Sequence, residues 1–310
     1  MNLTPLIDRP IIHVSDSPLL EGNVNGPSLI KVPDWVEGAY GRYYLYFAHH
    51  EGKTIRLAYA NELAGPWTLY EPGALSLANS LFPTTPPKPE ELHPIARALI
   101  AKGDDGLYPH IASPDVLVDE ATQTIRLYYH GRLPNGLQVT RVALSKNGLH
   151  FEAREEILGR PYMRIFQHED VWYGIAMPGI LYRSADGLTA FEESHNLFAP
   201  LTPRHHALLK KGNQLTIFYT EVGNTPEHLK HCTLNLTPDW RQWRITNEMS
   251  LYKPTQGWEG ANLPIEPSKY GGIFEPVHQL RDPAVFLEDD QLYLLYTVAG
   301  EQGVGIAILT

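Results

Sequence analysis

Two aspartates, Asp115 and Asp282, each open a short apolar run that leads into a turn. Histidines and arginines stand at matching places before, within or after similar runs: His110, His130, Arg141, Arg164, Arg204, His205 and Arg281. Carboxylates and imidazoles transfer protons, and guanidinium groups bind carboxylate or sulfate ligands through paired hydrogen bonds. The combination predicts a proton-transfer site that also binds a polar or anionic molecule.

These residues belong to a hairpin that recurs along the chain. Each copy has a short strand, a turn and an aromatic-rich return strand, with starts near Pro27, Pro114, Met163, His206 and Asp282. A third strand follows each hairpin, and Asn-Gly or Asp-Gly turns follow that strand in two copies. Five such hairpins at this spacing predict an all-β fold, a five-bladed β-propeller.

The propeller geometry explains how distant residues could meet. The innermost strand of each blade runs along the central axis, so residues at the strand starts face the same mouth. We therefore expect Asp115, Arg164, His205 and Asp282, from four different blades, to converge on one cavity. His110 and His130 border the same strands, and Arg281 precedes Asp282 directly.

Structural roles compete with catalytic ones for the same residues. An aspartate such as Asp282 can cap a turn, and a lone histidine is more often a hydrogen-bonded core residue than a catalytic one. The arginines could simply neutralise the acids. Glu259 and Glu275 lie in a long insertion and are expected at the surface, although Glu275 stands only seven residues before Asp282 and remains a candidate.

The repeats predict one domain over residues 1–310. Its blades are expected near residues 25–75, 110–157, 160–198, 203–245 and 278–310, with an N-terminal strand near Ile11–Val14 closing the last blade. Two stretches, residues 76–112 and 247–280, exceed the length of a blade and are expected to be loops on the rim of a site.

Composition excludes several classes of partner. The formal net charge of −10 disfavours nucleic acids and anionic membranes. The first residues lack the charged and apolar regions of a signal peptide, and no run is long and apolar enough to span a membrane. Cys232 is the only cysteine, which fits a reducing compartment and predicts a cytoplasmic protein. Nothing in the composition indicates an oligomeric state.

Four motifs resemble one group of proteins. They are Asp282-Pro283-Ala284-Val285-Phe286, Tyr43-Tyr44-Leu45-Tyr46-Phe47, Gly65-Pro66-Trp67 and Ser184-Ala185-Asp186-Gly187-Leu188. In this order they resemble the five-bladed β-propeller glycoside hydrolases, with family 43 closest in style and families 32, 117 and 130 as relatives. The resemblance implies cleavage of furanosides or pyranosides by three central acids: a base, a second aspartate that tunes pKa values, and a glutamic acid that donates a proton.

The chain departs from that pattern in two blades. Gly26 stands where the first acid is expected, and Tyr162-Met163-Arg164 replaces the expected acid in the third blade. Asp282 is then the candidate base and Asp115 the candidate pKa-tuning partner. Glu275 is a candidate general acid, with a histidine such as His205 as the alternative.

Three functions follow as hypotheses. The first is hydrolysis of an oligosaccharide in the central cavity, with an anionic sugar as one candidate because of the arginines. The second is a carbohydrate lyase or dehydratase that uses His or Tyr as base and Arg to neutralise an enolate. The third is a non-catalytic sugar-binding propeller. No cofactor is required for any of them, although His and carboxylate groups could also hold a central cation.

Overall fold

A computed structural model of the protein describes residues 1–102 and 106–310. These residues form a five-bladed β-propeller, as the repeated hairpin predicted. Two short strands, β1 (Leu3–Pro5) and β2 (Ile12–His13), precede the first blade. The first blade contains β3 (Asn25–Lys31), β4 (Tyr43–Ala48), β5 (Thr54–Ala60) and β6 (Thr68–Ser76), and the second contains β7 (Ile111–Asp119), β8 (Thr124–Arg132), β9 (Gln138–Ser145) and β10 (Glu152–Ala153).

The remaining blades repeat the antiparallel order. The third contains β11 (Arg164–His168), β12 (Val171–Ala176), β13 (Ile180–Ser184) and β14 (Glu192–Asn196). The fourth contains β15 (Pro203–Lys211), β16 (Gln214–Glu221), β17 (Leu229–Asn235) and β18 (Ile245–Tyr252). The fifth contains β19 (Arg281–Glu288), β20 (Gln291–Val298) and β21 (Gly303–Leu309).

Helices are few among the described residues. The insertion between the first two blades carries the α-helix α1 (Pro94–Ala101). Short 3-10 turns cover Val14–Asp16, Pro18–Leu20, Leu77–Asn79, Pro89–Glu91, Trp240–Gln242 and Gly257–Glu259. Over residues 1–102 and 106–310, no helix has the length and apolar character needed to cross a membrane.

The two ends of the chain close the ring. Both β1 and β2 pair with β21, with Leu3 opposite Leu309 and Ile12 opposite Val304. Strand β2 lies where the sequence predicted the closing strand, and β1 extends the same edge. The outer edge of the fifth blade is therefore covered by the N-terminal residues instead of remaining open to another chain.

Tyrosines in the return strands connect neighbouring blades. Tyr46 in the first blade donates a hydrogen bond to the carbonyl of Gly148 in the second, at 2.8 Å, and Tyr128 in the second donates to Gly187 in the third, also at 2.8 Å. Both glycines occupy turns with positive φ, as the Asn-Gly and Asp-Gly pairs predicted. The glycine turn therefore supplies the acceptor of each hydrogen bond between blades, and the tyrosine of the return strand supplies the donor.

The starts of the inner strands depart from regular β geometry. The pairing register shifts between Asn25 and Ser28 and between Ala112 and Asp115, and similar shifts occur in the fourth and fifth blades. The backbone has a positive φ at Gly26, Ser113 and Asp282, inside three of these shifts, and also at Tyr162, which precedes β11 in a blade whose inner pair has regular register. For a residue other than glycine, this conformation costs about 1–2 kcal/mol.

The insertion 247–280 contains a buried acid. Glu259 is 0% exposed, which corrects the expectation that it lies at the surface. Its carboxylate accepts hydrogen bonds from the hydroxyls of Tyr252 and Tyr296 and from the backbone N–H groups of Thr255 and Gln256, at 2.8–3.1 Å. The acid anchors the insertion to β20, because Tyr296 lies on that strand.

We predict that Glu259→Ala lowers the free energy of unfolding by about 3 kcal/mol, because the substitution leaves buried donors without an acceptor. Urea denaturation monitored by tryptophan fluorescence measures the change. Glu266→Ala is the matched control, since Glu266 is exposed in the same insertion and its loss should change the free energy by less than about 0.5 kcal/mol. Equal denaturation midpoints for the two variants would contradict the anchoring role.

Candidate active site on the propeller axis

Each blade contributes one residue to a ring around the axis: Gly26, Ser113, Tyr162, His205 and Asp282. The cavity inside the ring is also lined by His50, His110, His130, Arg204 and Glu301. Its free space is only about 10 Å³, about that of one water-sized sphere. Aromatic rings fill much of the cavity. The centre of the Tyr162 ring lies 4.4 Å from the centre of the His130 ring and 4.5 Å from the centre of the His205 ring.

Three side chains form a continuous polar chain across the cavity. Asp282 Oδ1 lies 3.1 Å from His205 Nδ1, although no hydrogen bond is aligned between these two atoms. His205 Nε2 lies 3.2 Å from Ser113 Oγ. The second oxygen of Asp282 accepts a hydrogen bond from the backbone N–H of Gly26 at 3.1 Å. A small rotation of Asp282 or His205 would therefore complete a hydrogen-bonded chain from Asp282 to Ser113.

The surroundings shift the pKa values of Asp282 and His205 in opposite directions, and each shift disfavours the charged form. Burial raises the pKa of Asp282 to about 6, and the negative charge of Glu301 adds to the effect. Burial lowers the pKa of His205 well below its ordinary value, and the positive charges of Arg164 and Arg204 act in the same direction. Above pH 6 the pair therefore consists of a carboxylate beside a neutral imidazole, and below it Asp282 carries a proton.

Glu301 is held ionised by its partners. It accepts hydrogen bonds from Asn23 at 2.8 Å and Arg281 at 3.0 Å, and His50 Nδ1 lies 3.2 Å away. Burial alone would raise the pKa of Glu301, but His50 and Arg281 outweigh it and hold the pKa well below its usual range. The acid is only 1% exposed, so it supplies a fixed negative charge beside Asp282.

A second ion pair lies beside the first. Arg204 donates to both oxygens of Glu227, at 2.9 and 3.2 Å, and Arg281 Nε lies 3.4 Å from Glu227. Burial alone would raise the pKa of Glu227, but the two arginines outweigh it and lower the pKa. Arg281 thus bridges Glu227 and Glu301. Breaking such a buried pair typically costs about 3–5 kcal/mol.

Asp115 and Arg164 do not line this cavity, which corrects the expectation that they converge with His205 and Asp282. They line a separate cavity between the middles of the inner strands. There Asp115 Oδ1 lies 3.5 Å from Arg164 Nη1, and Asp115 Oδ2 accepts a hydrogen bond from the N–H of Ile165 at 2.9 Å. Both residues stand two positions beyond Ser113 and Tyr162, or about 6–7 Å farther along the strand.

The other predicted residues divide into two groups. His110, His130 and Arg204 line the axial cavity with His205 and Asp282. Arg281 is buried behind it, whereas Glu275 is exposed and Arg141 donates to backbone carbonyls of residues 154 and 155. Neither of the last two lines the cavity, and the catalytic roles predicted for Asp115, Asp282 and Glu275 stay predictions.

Three residues that line the cavity were not among the predicted site residues: Ser113 and Tyr162, near the starts of inner strands, and Glu301, just after the return strand β20. Glu227 gave no signal at all, because it follows Pro226 in a loop without periodicity. Within the described part of the chain, no three His, Cys, Asp or Glu side chains are grouped so that they could hold a metal ion.

Comparison with known proteins identifies a relative. No protein-family model matches the chain. An uncharacterized protein of Acanthamoeba polyphaga mimivirus is 33% identical over 312 residues, which covers 93% of this chain and 83% of the relative. The chain belongs to the family of this mimivirus protein.

Solved structures share the fold at low sequence identity, and they include family 43 and family 32 enzymes. A β-xylosidase/α-arabinofuranosidase from a compost microbial metagenome, in complex with xylotriose, is 11% identical with a TM-score of 0.58, and the match covers 100% of this chain and 94% of that one. An N-acetylgalactosamine deacetylase from F. plautii is 12% identical with a TM-score of 0.56, covering 99% and 95%. The fold is that of the five-bladed propeller glycoside hydrolases.

We predict that the raised pKa of Asp282 makes the fold less stable as the pH rises. The unfolded carboxyl ionises near pH 3.8 and the folded one near pH 6, so the folded state binds more protons between these values. Relative to Asp282→Asn, the wild type should lose on the order of 2 kcal/mol of unfolding free energy between pH 4 and pH 7.

Urea denaturation at several pH values measures this difference. Asp289→Asn, an exposed aspartate of the same blade, is the control and should track the wild type throughout. A difference between Asp282→Asn and wild type that does not change with pH would show that the pKa of Asp282 is not raised in the folded protein.

Proposed function

We propose that the protein is a glycoside hydrolase that binds a sugar at the propeller axis and uses Asp282 as its general base. The observation that carries the proposal is the position of Asp282, buried on the axis with its pKa raised to about 6 and in contact with a neutral His205. A base whose pKa lies near the working pH transfers protons most effectively. The fold of the solved glycosidases, one of them in complex with xylotriose, supports the same assignment.

In the proposed reaction Asp282 accepts a proton from a water molecule. The water oxygen attacks the anomeric carbon, the bond from that carbon to the leaving oxygen breaks, and its electron pair remains on the leaving oxygen. His205, whose Nδ1 lies 3.1 Å from Asp282 Oδ1, would stabilise the carboxylate once a small rotation aligns a hydrogen bond between them. Gly26, whose N–H donates to the other carboxylate oxygen, fixes the orientation from the opposite side.

A neutral sugar fits this cavity better than an anionic one. Arg204 uses its guanidinium on Glu227, and Arg281 uses its guanidinium on Glu301 and Gln279. Arg164 lies in the deeper cavity beside Asp115. The charges of these arginines are therefore balanced by protein acids, and the imidazoles of His110 and His130 line the cavity where the sugar would bind.

The ring of Tyr162 controls the room for that sugar. It contacts His130 and His205 across the cavity, and the remaining free space accommodates little more than a water molecule. A sugar ring can therefore enter only if Tyr162 rotates away from the axis. Aromatic faces commonly stack on sugar rings, so the displaced Tyr162 would become part of the binding surface.

A second candidate function, hydrolysis of an ester on a sugar, is favoured by one specific observation. Ser113, His205 and Asp282 follow one another at 3.2 and 3.1 Å, in the order of a nucleophile, a base and an orienting acid. Ser113 Oγ would attack the ester carbonyl while His205 Nε2 takes its proton and returns it to the departing alkoxide. Water would then release the acyl group by the same steps.

We predict that Asp282→Asn lowers kcat about 10²–10⁴-fold on a glycoside that the wild type cleaves, because the amide cannot accept the proton. In the wild type, kcat/KM should rise with pH through about 6 as the carboxylate ionises. Initial rates on a panel of neutral and uronate-containing glycosides between pH 4 and pH 8 measure both effects. Asp289→Asn provides the matched control, and a near-normal kcat in Asp282→Asn would show that the base lies elsewhere.

The two candidate reactions separate at Ser113. If the protein is a glycosidase, Ser113→Ala should retain kcat within about tenfold, because the hydroxyl only contacts His205. If it is an esterase, the same variant should lose about 10³-fold or more on an acetylated sugar, and a fluorophosphonate probe should label Ser113 in the wild type. Mass spectrometry of the labelled peptide, together with rates on both substrate classes, decides between them.

A further inference from the structure

A large cleft lies directly beside the axial cavity. Among the described residues it is bounded by helix α1 and by loops of the second, third and fourth blades, and its volume is about 640 Å³. Cavities that bind small organic molecules typically measure about 300–1,000 Å³. The cleft therefore offers the space that the axial cavity lacks.

The walls of this cleft are mainly apolar. Ile95 and Leu99 on helix α1 face Ile157 of the second blade and Met177 and Phe191 of the third. Ile95 is 55% exposed, Leu99 38% and Ile157 51%, so large aliphatic side chains meet solvent here. A cluster of exposed apolar side chains around a concave surface indicates a binding site for an apolar group.

The cleft and the axial cavity share walls. Tyr162 and Arg204 line both. The residue that must move to admit a sugar therefore also borders the cleft, and one molecule could place a sugar at the axis and a second group in the cleft.

The chemistry at the axis restricts what this second group can be. A departing oxygen usually needs a proton donor, and in such enzymes a carboxylic acid supplies the proton. Beside Asp282, the carboxylate that lines the axial cavity is Glu301, which Arg281 and His50 keep ionised. His205 is neutral and a poor donor. A leaving oxygen that is stable as an anion, such as a phenolate, departs without that help.

Building on the proposed function, we infer that the substrate is a glycoside of an apolar aromatic alcohol, with its sugar at the axis and its aromatic group in the cleft. The apolar walls provide affinity for the ring system. The phenolic oxygen lies at the junction near Tyr162, where the bond to the sugar is broken.

The test compares three isoleucines of similar exposure. Ile95→Asp and Ile157→Asp each place a charge on a wall of the cleft. Ile265→Asp places a charge outside the cleft, at a loop residue that is 60% exposed. The exposure of all three side chains favours normal folding, and an aspartate in the first turn of helix α1 interacts favourably with the helix dipole. The probes are 2-naphthol for binding and paired 2-naphthyl and methyl glycosides of each sugar for turnover.

We expect Ile95→Asp and Ile157→Asp each to raise the Kd for 2-naphthol about tenfold, because each variant removes the apolar contact between the naphthyl ring and an isoleucine side chain. The same variants should raise KM for the naphthyl glycoside to a similar extent with kcat little changed. Ile265→Asp should match the wild type in both measurements. Naphthyl glycosides should react faster than methyl glycosides of the same sugar in the wild type.

Other outcomes separate the two proposals. If the cleft binds 2-naphthol but no glycoside is turned over, the proposal of a hydrolase would be overturned, and the proposal that the cleft binds an apolar group would be retained. Equal kcat/KM values for naphthyl and methyl glycosides would overturn the proposal of an aromatic substrate and retain the proposal of a hydrolase. A dimer in sedimentation that Ile95→Asp dissociates would assign the cleft to a second copy of the chain and overturn the inference.

Discussion

The site depends on a backbone conformation at the start of the inner strands. Ser113, Tyr162 and Asp282 adopt the left-handed conformation there, with Gly26 in the first blade. A left-handed residue breaks the alternation of the strand and turns its side chain into the channel. The three non-glycine residues cost on the order of 1–2 kcal/mol each, and the surrounding blades, which Tyr46 and Tyr128 join through hydrogen bonds, hold them in place.

The charges around the axis and burial together explain why the pKa of Asp282 is raised. Arg281 interacts with Glu301 and Glu227, and Arg204 interacts with Glu227, so these four groups nearly neutralise one another. Among residues 1–102 and 106–310, no arginine forms an ion pair with Asp282, which contacts a neutral imidazole instead. Burial is the largest cause of the raised pKa of Asp282 and the negative charge of Glu301 is the next, while Arg204 and Arg281 lower the pKa by smaller amounts. The same arrangement disfavours the ionised form of Asp282, and it supports the proposed role of this residue as general base.

Much of the fold followed from the sequence, because the hairpin repeats, the Asn-Gly and Asp-Gly turns and the aromatic return strands are local signals. The site followed only in part. Strand alternation could not show how far along the axis a residue lies. Ser113 and Tyr162 belong to the ring, while Asp115 and Arg164, two positions farther along, lie deeper in a separate cavity. Glu227 and Glu259 were missed or misplaced, because the burial of a loop acid depends on the tertiary partners that surround it.

The most direct measurement is a crystal structure of Asp282→Asn soaked with a 2-naphthyl glycoside that the wild type cleaves. We expect the sugar on the axis, with Tyr162 rotated away from His205 and the naphthyl group against Ile95 and Ile157. The side chain at position 282 should lie within about 3–4 Å of a water molecule that faces the anomeric carbon. A ligand bound away from the axis, with Tyr162 still closing the cavity, would contradict this expectation.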